Sequence, residues 1–276
     1  MLIIDVLEKK KVVEILHKIS EITECYDVYF TDVWGVLYHE GVGVLPTALQ
    51  GLHALKEAEK TVVLISNASK SGDLLAAFLE QEGIPRVLYH RVITSGDCTR
   101  TYFESLGKPT ACYLMGRSYN RGLFRGLPMT FVEEPEQADI FVTCAPHMDS
   151  LSIDPFLPLL DRCLAAGLPM LCANPDEYVL IKDQKIVRSG LFAQYYAEKG
   201  GSVMFFGKPH EPIYKGAHAF VLGTPKKRLI AIGDGLKTDI LGAKNFGIDS
   251  VWIRSGVDSK TTETSIVPTY VMDCFQ

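Results

Sequence analysis

At 276 residues the chain has room for one large or two modest domains, and its 47% hydrophobic and 22% charged content gives it enough apolar surface to bury a core, which excludes a mainly disordered state. The net charge of -5 comes with Lys and Arg scattered along the chain rather than gathered in a stripe, so a nucleic-acid partner is not expected. Seven cysteines, an odd number with no CxxC pair, read as reduced thiols of a cytoplasmic protein. No stretch approaches the ~18 uninterrupted apolar residues of a membrane span, and the amino end lacks the small-residue cleavage site of an export signal, so no membrane association is expected.

In chain order, the apolar residues between positions 6 and 22 recur at roughly helical spacing and predict a leading amphipathic helix within residues 1–25. YDVYFTD, ending at Asp32, has the look of a buried strand that delivers a carboxylate at its tip. A helix over 46–59, a strand TVVLIS and a helix over 70–82 follow, an alternation that predicts a parallel sheet with right-handed crossovers. The rhythm resumes near the carboxyl end with SVMFFG, a helix over 212–222, RLIAIGD, a helix over 238–246 and SVWIRS.

Between these halves lie ACYLMG, DIFVTCA, a helix over 154–166, PMLCANPD and a hairpin turning at Asp183 and Gln184, which together read as an inserted α/β domain. Loop composition places its borders near Gly107 and Gly201. The expected organisation is a doubly wound, Rossmann-like core of residues 1–106 plus 202–276, interrupted by an insert over 107–201.

In open parallel sheets ligands sit beyond the carboxyl ends of the strands, so strand-terminal residues are the ones to question. Here they are Asp32, then Ser66 and Asn67, then Lys208, then Asp234 with Asp239. Each alone is bland, since an Asp closing a strand is commonly a turn former or a helix cap. Jointly they supply a carboxylate nucleophile, hydrogen-bond donors, an ammonium and an acidic pair, the components of phosphoryl transfer. In this reading Asp32 forms an aspartyl-phosphate, and Ser66 and the Asn67 region hydrogen-bond the transferring oxygens. Lys208 offsets charge, and Asp234 holds a divalent cation between two anions that would otherwise repel. Oxygen ligands without nearby His or Cys favour magnesium over zinc.

FTDVWGVLY, LISNAS, GKP and GDGLKTDILGAKNFG resemble the haloacid dehalogenase (HAD) superfamily, and in particular its NagD-like, class IIA members of the subset with DVWG in the first motif. The resemblance implies a HAD-fold core with an inserted cap, Asp32 as nucleophile, Ser66 as phosphate ligand and Lys208 as the stabilising lysine. It also implies Asp234 as a magnesium ligand supported by Asp239, and a further metal contact through the main-chain carbonyl of residue 34. Many NagD-like proteins pair through their caps, which implies a homodimer by analogy.

The resemblance breaks at Trp34. The family places an aspartate there as general acid and base, a contribution typically of ~10²- to 10⁴-fold in rate, and an indole cannot take that role. Three accounts stay open: the ring packs under the cap, it stacks on a ligand, or it gates water from the site. A replacement base could come from His39 or Glu40, or the leaving group could depart unaided. Specificity should lie in the insert, where Asn174, Asp176 and Glu177 of CANPDEY are substrate candidates and His147 and Arg117 weaker ones. The expected activity is magnesium-dependent hydrolysis of small phosphorylated metabolites such as sugar phosphates, nucleotides or phosphorylated cofactors. The alternative is a protein that binds a phosphorylated ligand with little turnover. A receiver-type phospho-acceptor would share the aspartate and metal logic but not the large insert.

Overall fold

The structure is a computed structural model that describes residues 2–4, 11–181, 184–256, 258 and 265–276. In chain order its strands and α-helices begin with β1 (Leu2–Ile4), β2 (Lys11–Leu16), β3 (Val28–Asp32), β4 (Tyr38–His39), β5 (Gly43–Val44), α1 (Ala48–Glu57), β6 (Thr61–Ser66), α2 (Gly72–Gln81) and β7 (Arg91–Thr94). Then come α3 (Ser95–Leu106), β8 (Thr110–Met115), β9 (Met129–Val132), β10 (Ile140–Thr143), α4 (Leu157–Ala165), β11 (Met170–Cys172), β12 (Tyr178–Ile181), β13 (Gln184–Val187) and α5 (Ser189–Glu198). The last are β14 (Val203–Phe205), α6 (Glu211–Phe220), β15 (Leu229–Gly233), α7 (Leu241–Phe246), β16 (Asp249–Ile253) and β17 (Tyr270–Met272). Among the described residues no helix is long and apolar enough to cross a membrane.

The chain divides into two compact units, the first made of Met1–Ser66, Asp73–Ile93 and Lys208–Gln276. Its eight-stranded sheet runs in the order β1-β2-β17-β16-β15-β3-β6-β7. The strands β2, β17, β16, β15, β3 and β6 pair in parallel, and β1 returns antiparallel at the edge. Every residue of β3 and β15 is buried, as a strand covered on both faces requires, and their sequences VYFTD and LIAIG are correspondingly continuous apolar runs rather than alternating ones. The faces are covered by helices such as α1, whose Ala48, Leu52 and Leu55 are buried at helical spacing, and α6, which buries Ile213, Tyr214 and Ala217. In α1 a glycine is required at position 51, because a Cβ there would press on the ring of Phe275.

The expected leading helix is replaced by a strand. Residues 11–16 form β2, which pairs in parallel with β17 through Glu14 opposite Tyr270 and Leu16 opposite Met272, and a 3₁₀ turn follows over Ile19–Ile22. Val6 and Leu7, which the helical pattern also used, lie outside the described residues. The apolar spacing of 6–22 is compatible with either period, and the unpaired backbone edge of β17 supplied the partner that selected the strand.

The second unit comprises Asn67–Gly72 and Thr94–Gly207. Its five-stranded, all-parallel sheet has the order β14-β11-β10-β8-β9. One cluster of buried residues includes Phe141, Phe156, Leu160, Phe192 and Tyr196, and a second includes Phe103, Leu123, Phe124, Val142 and Leu171. Alternate β10 residues, Phe141 and Val142, thus enter different clusters, as the period of two in a covered strand requires. β12 and β13 form the expected hairpin, with Ile181 opposite Gln184. The Asp183 of the expected turn lies outside the described residues.

The borders of the compact units differ from those expected at Gly107 and Gly201. Gly107 is the left-handed cap of α3, with φ of 59°, and α3 groups with the second unit. Gly201 is a packing position, since a Cβ there would meet the Tyr196 ring. SVMFFG, expected as a core strand, supplies β14, which pairs with β11 in the second sheet. Loop-like composition here reflects a helix cap and a close approach, not a linker.

Leu64 is fully buried on β6 beside β3. Leu64→Ala is expected to lower the unfolding free energy by about 2–5 kcal/mol, the range for deleting a packed Leu side chain. Urea denaturation reads this directly, and an unchanged midpoint would contradict the packing described.

Candidate active site

Three strand ends lie level at the centre of the first unit's sheet. Thr31 of β3 is opposite Ile232 of β15, and Asp32 is opposite Ile65 of β6. The register therefore puts Asp32 beside Gly233, with Asp234 one residue beyond, and Ser66 one residue beyond Ile65. Asp32, Ser66 and Asp234 are all buried. Because β15 and β6 flank β3 and the chain continues outward from each, this is the point where strand order reverses.

Lys208, in the turn before α6, joins these ends. Its buried Nζ lies 2.6 Å from Asp32 Oδ1 and 2.8 Å from Asp239 Oδ1. Asp239 belongs to a π-helical turn, Leu236–Ile240, a form that often marks functional sites. Its Oδ2 accepts from the Gly235 amide at 3.2 Å and the Thr238 hydroxyl at 3.1 Å, and its main-chain carbonyl accepts from the buried Tyr214 hydroxyl at 3.1 Å. Asp32 Oδ1 also accepts the Val33 amide at 2.7 Å. The Trp252 indole N–H donates to the Asp234 carbonyl at 3.1 Å and so anchors the end of β15.

Glycine is needed where the backbone meets these carboxylates. Gly35 has φ of 82°, and a Cβ on it would collide with the Asp234 carboxylate. A Cβ on Gly233 would run into the Asp239 carboxyl group. The close approach is what lets Asp32, Asp234 and Asp239 each present an oxygen within 4.8 Å of the other two.

The electrostatics follow from that crowding. Burial, then the charge of Asp239, push Asp32 well above the usual carboxylate range; the Lys208 charge opposes them, and Asp234 adds to the rise. For Lys208, burial works against the ammonium, but the charges of Asp239 and Asp32 outweigh it and keep the proton bound more tightly than in a free lysine. Three carboxylates against one ammonium leave a formal excess of two negative charges in a buried place. That excess, offered through oxygen atoms only, fits a hard divalent cation.

Trp34 does not join the acidic cluster. Its half-buried ring stands edge-on to Tyr38 at 5.3 Å and tilted against Phe78 at 5.9 Å, while Tyr38 and Phe78 lie 5.3 Å apart. The Gly35 amide donates to the Tyr38 carbonyl at 2.9 Å, tying the turn that follows Asp32 to the base of this aromatic group. His39 Nδ1 is 3.0 Å from the carbonyl of exposed Glu40, so the ring is engaged with its own loop.

The remaining candidates lie in the second unit. Asn67 Nδ2 donates to Asp176 Oδ1 at 2.8 Å, and Asn174 Oδ1 accepts the Asp176 amide at 3.0 Å, so these three form one polar group. Ser66 and Asn67, adjacent in sequence, thus belong to different units. Arg117 is paired with Asp149 at 2.7 Å, and His147 rests against the Phe156 ring at 5.3 Å. Sequence reasoning missed Tyr38, Phe78, Tyr214 and Trp252. Tyr38 could have been noticed as the aromatic residue four positions after Trp34, whereas Phe78 is remote in sequence and carries no signal.

Two family models match the chain, one described as haloacid dehalogenase-like hydrolase over residues 29–127 and one as HAD-hydrolase-like over residues 205–276. The chain belongs to the haloacid dehalogenase-like hydrolases. The two matched segments of this HAD protein hold Asp32, Trp34, Ser66 and Asn67 in the first, and Lys208, Asp234 and Asp239 in the second. A haloacid dehalogenase-like hydrolase from Brucella suis 1330 superposes with a TM-score of 0.87 at 29% identity, covering 95% of this chain and 100% of that one. A dihydroxyacetone phosphatase of Corynebacterium glutamicum (strain R) is 25% identical over 89% of this chain and 88% of its own length. The 5'-nucleotidase YutF of Bacillus subtilis (strain 168) is 25% identical over 90% of this chain and 95% of its own. Within the superfamily the chain is of the NagD-like, class IIA type.

Lys208→Met removes the cation of the cluster and leaves the carboxylates uncompensated. In metal-free buffer it is expected to cost about 3–5 kcal/mol, the range for breaking a buried pair from one side. Adding Asp32→Asn to that variant should recover part of the loss; denaturation of both proteins tests the coupling, and simple additivity would contradict it.

Proposed function

We propose that the protein is a magnesium-dependent phosphatase of small phosphorylated metabolites that works through an aspartyl-phosphate on Asp32. The observation that carries this reading is the Lys208 ammonium bridging Asp32 and Asp239 with Asp234 in the same oxygen cluster. Relatives named as a dihydroxyacetone phosphatase, a 5'-nucleotidase and an acid sugar phosphatase support the substrate class.

In the first half-reaction Asp32 attacks phosphorus and the bond to the leaving oxygen breaks. Lys208 holds Asp32 in place and faces the phosphoryl charge, and its ammonium opposes the burial and neighbouring carboxylates that push the Asp32 carboxyl up. Ser66 donates to a phosphoryl oxygen, and Asn67 is assigned to the same task. Asp32, Asp234, the support of Asp239 and the main-chain carbonyl of Trp34 would hold magnesium, which when bound supplies the positive charge that lets the two anions approach. In the second half-reaction water attacks phosphorus, the acyl-phosphate bond breaks, and Asp32 returns as a carboxylate. Asn174 and Asp176 are assigned to contacts with the rest of the substrate, the first unit acting as catalytic core and the insert as cap.

Phosphate release from a panel of sugar, nucleotide and cofactor phosphates tests the reading. Release is expected with magnesium, not with a chelator, and Asp32→Asn should reduce it to background; release that survives that substitution would exclude the aspartyl-phosphate. Independently, magnesium at a hundredfold excess over its dissociation constant should stabilise the wild type by about 2.7 kcal/mol. Asp234→Asn should lose most of that gain without lowering the metal-free thermal midpoint, because it removes one of three crowded like charges. Equal magnesium stabilisation of both proteins would place the cation elsewhere.

A further inference from the structure

The turn that carries Asp239 is wider than an α-helical one and takes its support from outside. In Leu236–Ile240 the Ile240 amide reaches back to the Gly235 carbonyl at 3.1 Å, a π-type closure that is rare in proteins. The first amides of a helical turn have no partner within it, and Gly235, which precedes this one, has no side chain to offer. The Gly235 amide is met by Asp239 Oδ2 at 3.2 Å. The Leu236 amide donates to Asp258 Oδ2 at 2.6 Å, a partner 22 positions later in the loop after β16. Near the other end, the Asp239 carbonyl accepts the Tyr214 hydroxyl at 3.1 Å. Asp258 and Tyr214 thus grip the turn from both sides.

The same loop meets Asp234. Trp252 of β16 donates its indole N–H to the Asp234 carbonyl at 3.1 Å. Gly256 lies against the Asp234 side chain, where a Cβ would come within 2.1 Å of Oδ2. The stretch from Trp252 to Asp258 therefore touches Asp234 through main chain and side chain, and Leu236 through its amide. An Asp that accepts a backbone amide is often only a loop anchor. Here the bond lands between Asp234 and Asp239, two of the three carboxylates whose oxygens lie within 4.8 Å of one another. A carboxylate-to-amide bond is charge-assisted and among the stronger hydrogen bonds, which suits it to keeping a wide turn open. Relaxation of that turn toward α geometry would rotate Asp239 about the turn's axis and away from its 2.8 Å contact with Lys208.

Resting on the phosphatase reading, we propose that Asp258 is a positioning residue of the active site. By accepting the Leu236 amide it holds the turn that aims Asp239 at Lys208, and with Gly256 it fixes the backbone from which Asp234 presents its carboxylate to magnesium. The role needs an accepting oxygen at that place and no contact between Asp258 and either metal or substrate. Magnesium affinity and turnover should then depend on a residue outside the carboxylate cluster.

The test uses the full chain with magnesium alone, titrated by calorimetry, and magnesium-dependent phosphate release as a second readout. Asp258→Ala should raise the magnesium dissociation constant by about tenfold to a hundredfold, the range for losing an outer partner of a metal site. The magnesium concentration for half-maximal release should rise by the same factor. Asp258→Asn keeps an accepting oxygen and should bind magnesium as the wild type does. Should Asp258→Ala not fold, Asp258→Ser, too short to reach the amide, takes its place with the same expectation. As a control for mere loosening, Asp27→Ala breaks the 2.7 Å bond to Arg228 at the opposite end of β3 and should lower the thermal midpoint without moving the magnesium constant. Unchanged affinity in Asp258→Ala, an Asp258→Asn as weak as Asp258→Ala, or an equal loss in Asp27→Ala would each overturn the proposal and leave the phosphatase reading intact. A wild type that binds no magnesium would overturn both.

Discussion

The Lys208 ammonium, buried between Asp32 and Asp239 with Asp234 close by, is the contact on which the rest of the site depends. Removing an ion from water costs several kcal/mol, and here one cation must serve three anions. The fold meets this with amides and hydroxyls from Val33, Gly235 and Thr238 that are already aimed at the carboxylates. What those bonds leave over is buried negative charge offered through oxygen atoms, which fits a hard divalent cation.

Topology explains how segments so far apart in the chain come to share one cation. Parallel crossovers carry the chain from β3 outward to β6 and β7 on one side, and β15, β16 and β17 occupy the other. β3 and β15 are thus neighbours where the strand order reverses, the place where parallel α/β sheets bind their ligands. Register does the finer positioning: Thr31 opposite Ile232 and Asp32 opposite Ile65 bring three strand ends to the same level within about one residue. Gly35 and Gly233 then remove the Cβ atoms that would hold the carboxylates apart. A larger residue at either place would press directly on those carboxylates and separate the charges.

These relations were partly legible before the structure. Strands buried on both faces have continuous apolar sequences, so YDVYFTD, TVVLIS and RLIAIGD declared themselves, and their terminal Asp32, Ser66 and Asp234 followed. Features that depend on long-range pairing were not legible. Residues 11–16 have a pattern that suits a helix, and only the edge of β17, more than 250 residues later, makes them a strand. Gly107 and Gly201 looked like linkers because composition cannot distinguish a loop from a helix cap or from a glycine pressed against Tyr196. The division between Ser66 and Asn67 was equally hidden, since residues 67–72 group with a segment that includes Asp176, 109 positions from Asn67 and hydrogen-bonded to it. Phe78, which braces Trp34, sits in an ordinary amphipathic helix.

The short turn after β3 has two separate parts. The side chain of Asp32 meets Lys208 and the bare backbone at Gly35 meets the Asp234 carboxylate. The side chain at 34 packs against Tyr38 and Phe78. Asp32 and Asp239 are held by their own bonds to Lys208, Gly235 and Thr238, none of which involves that ring.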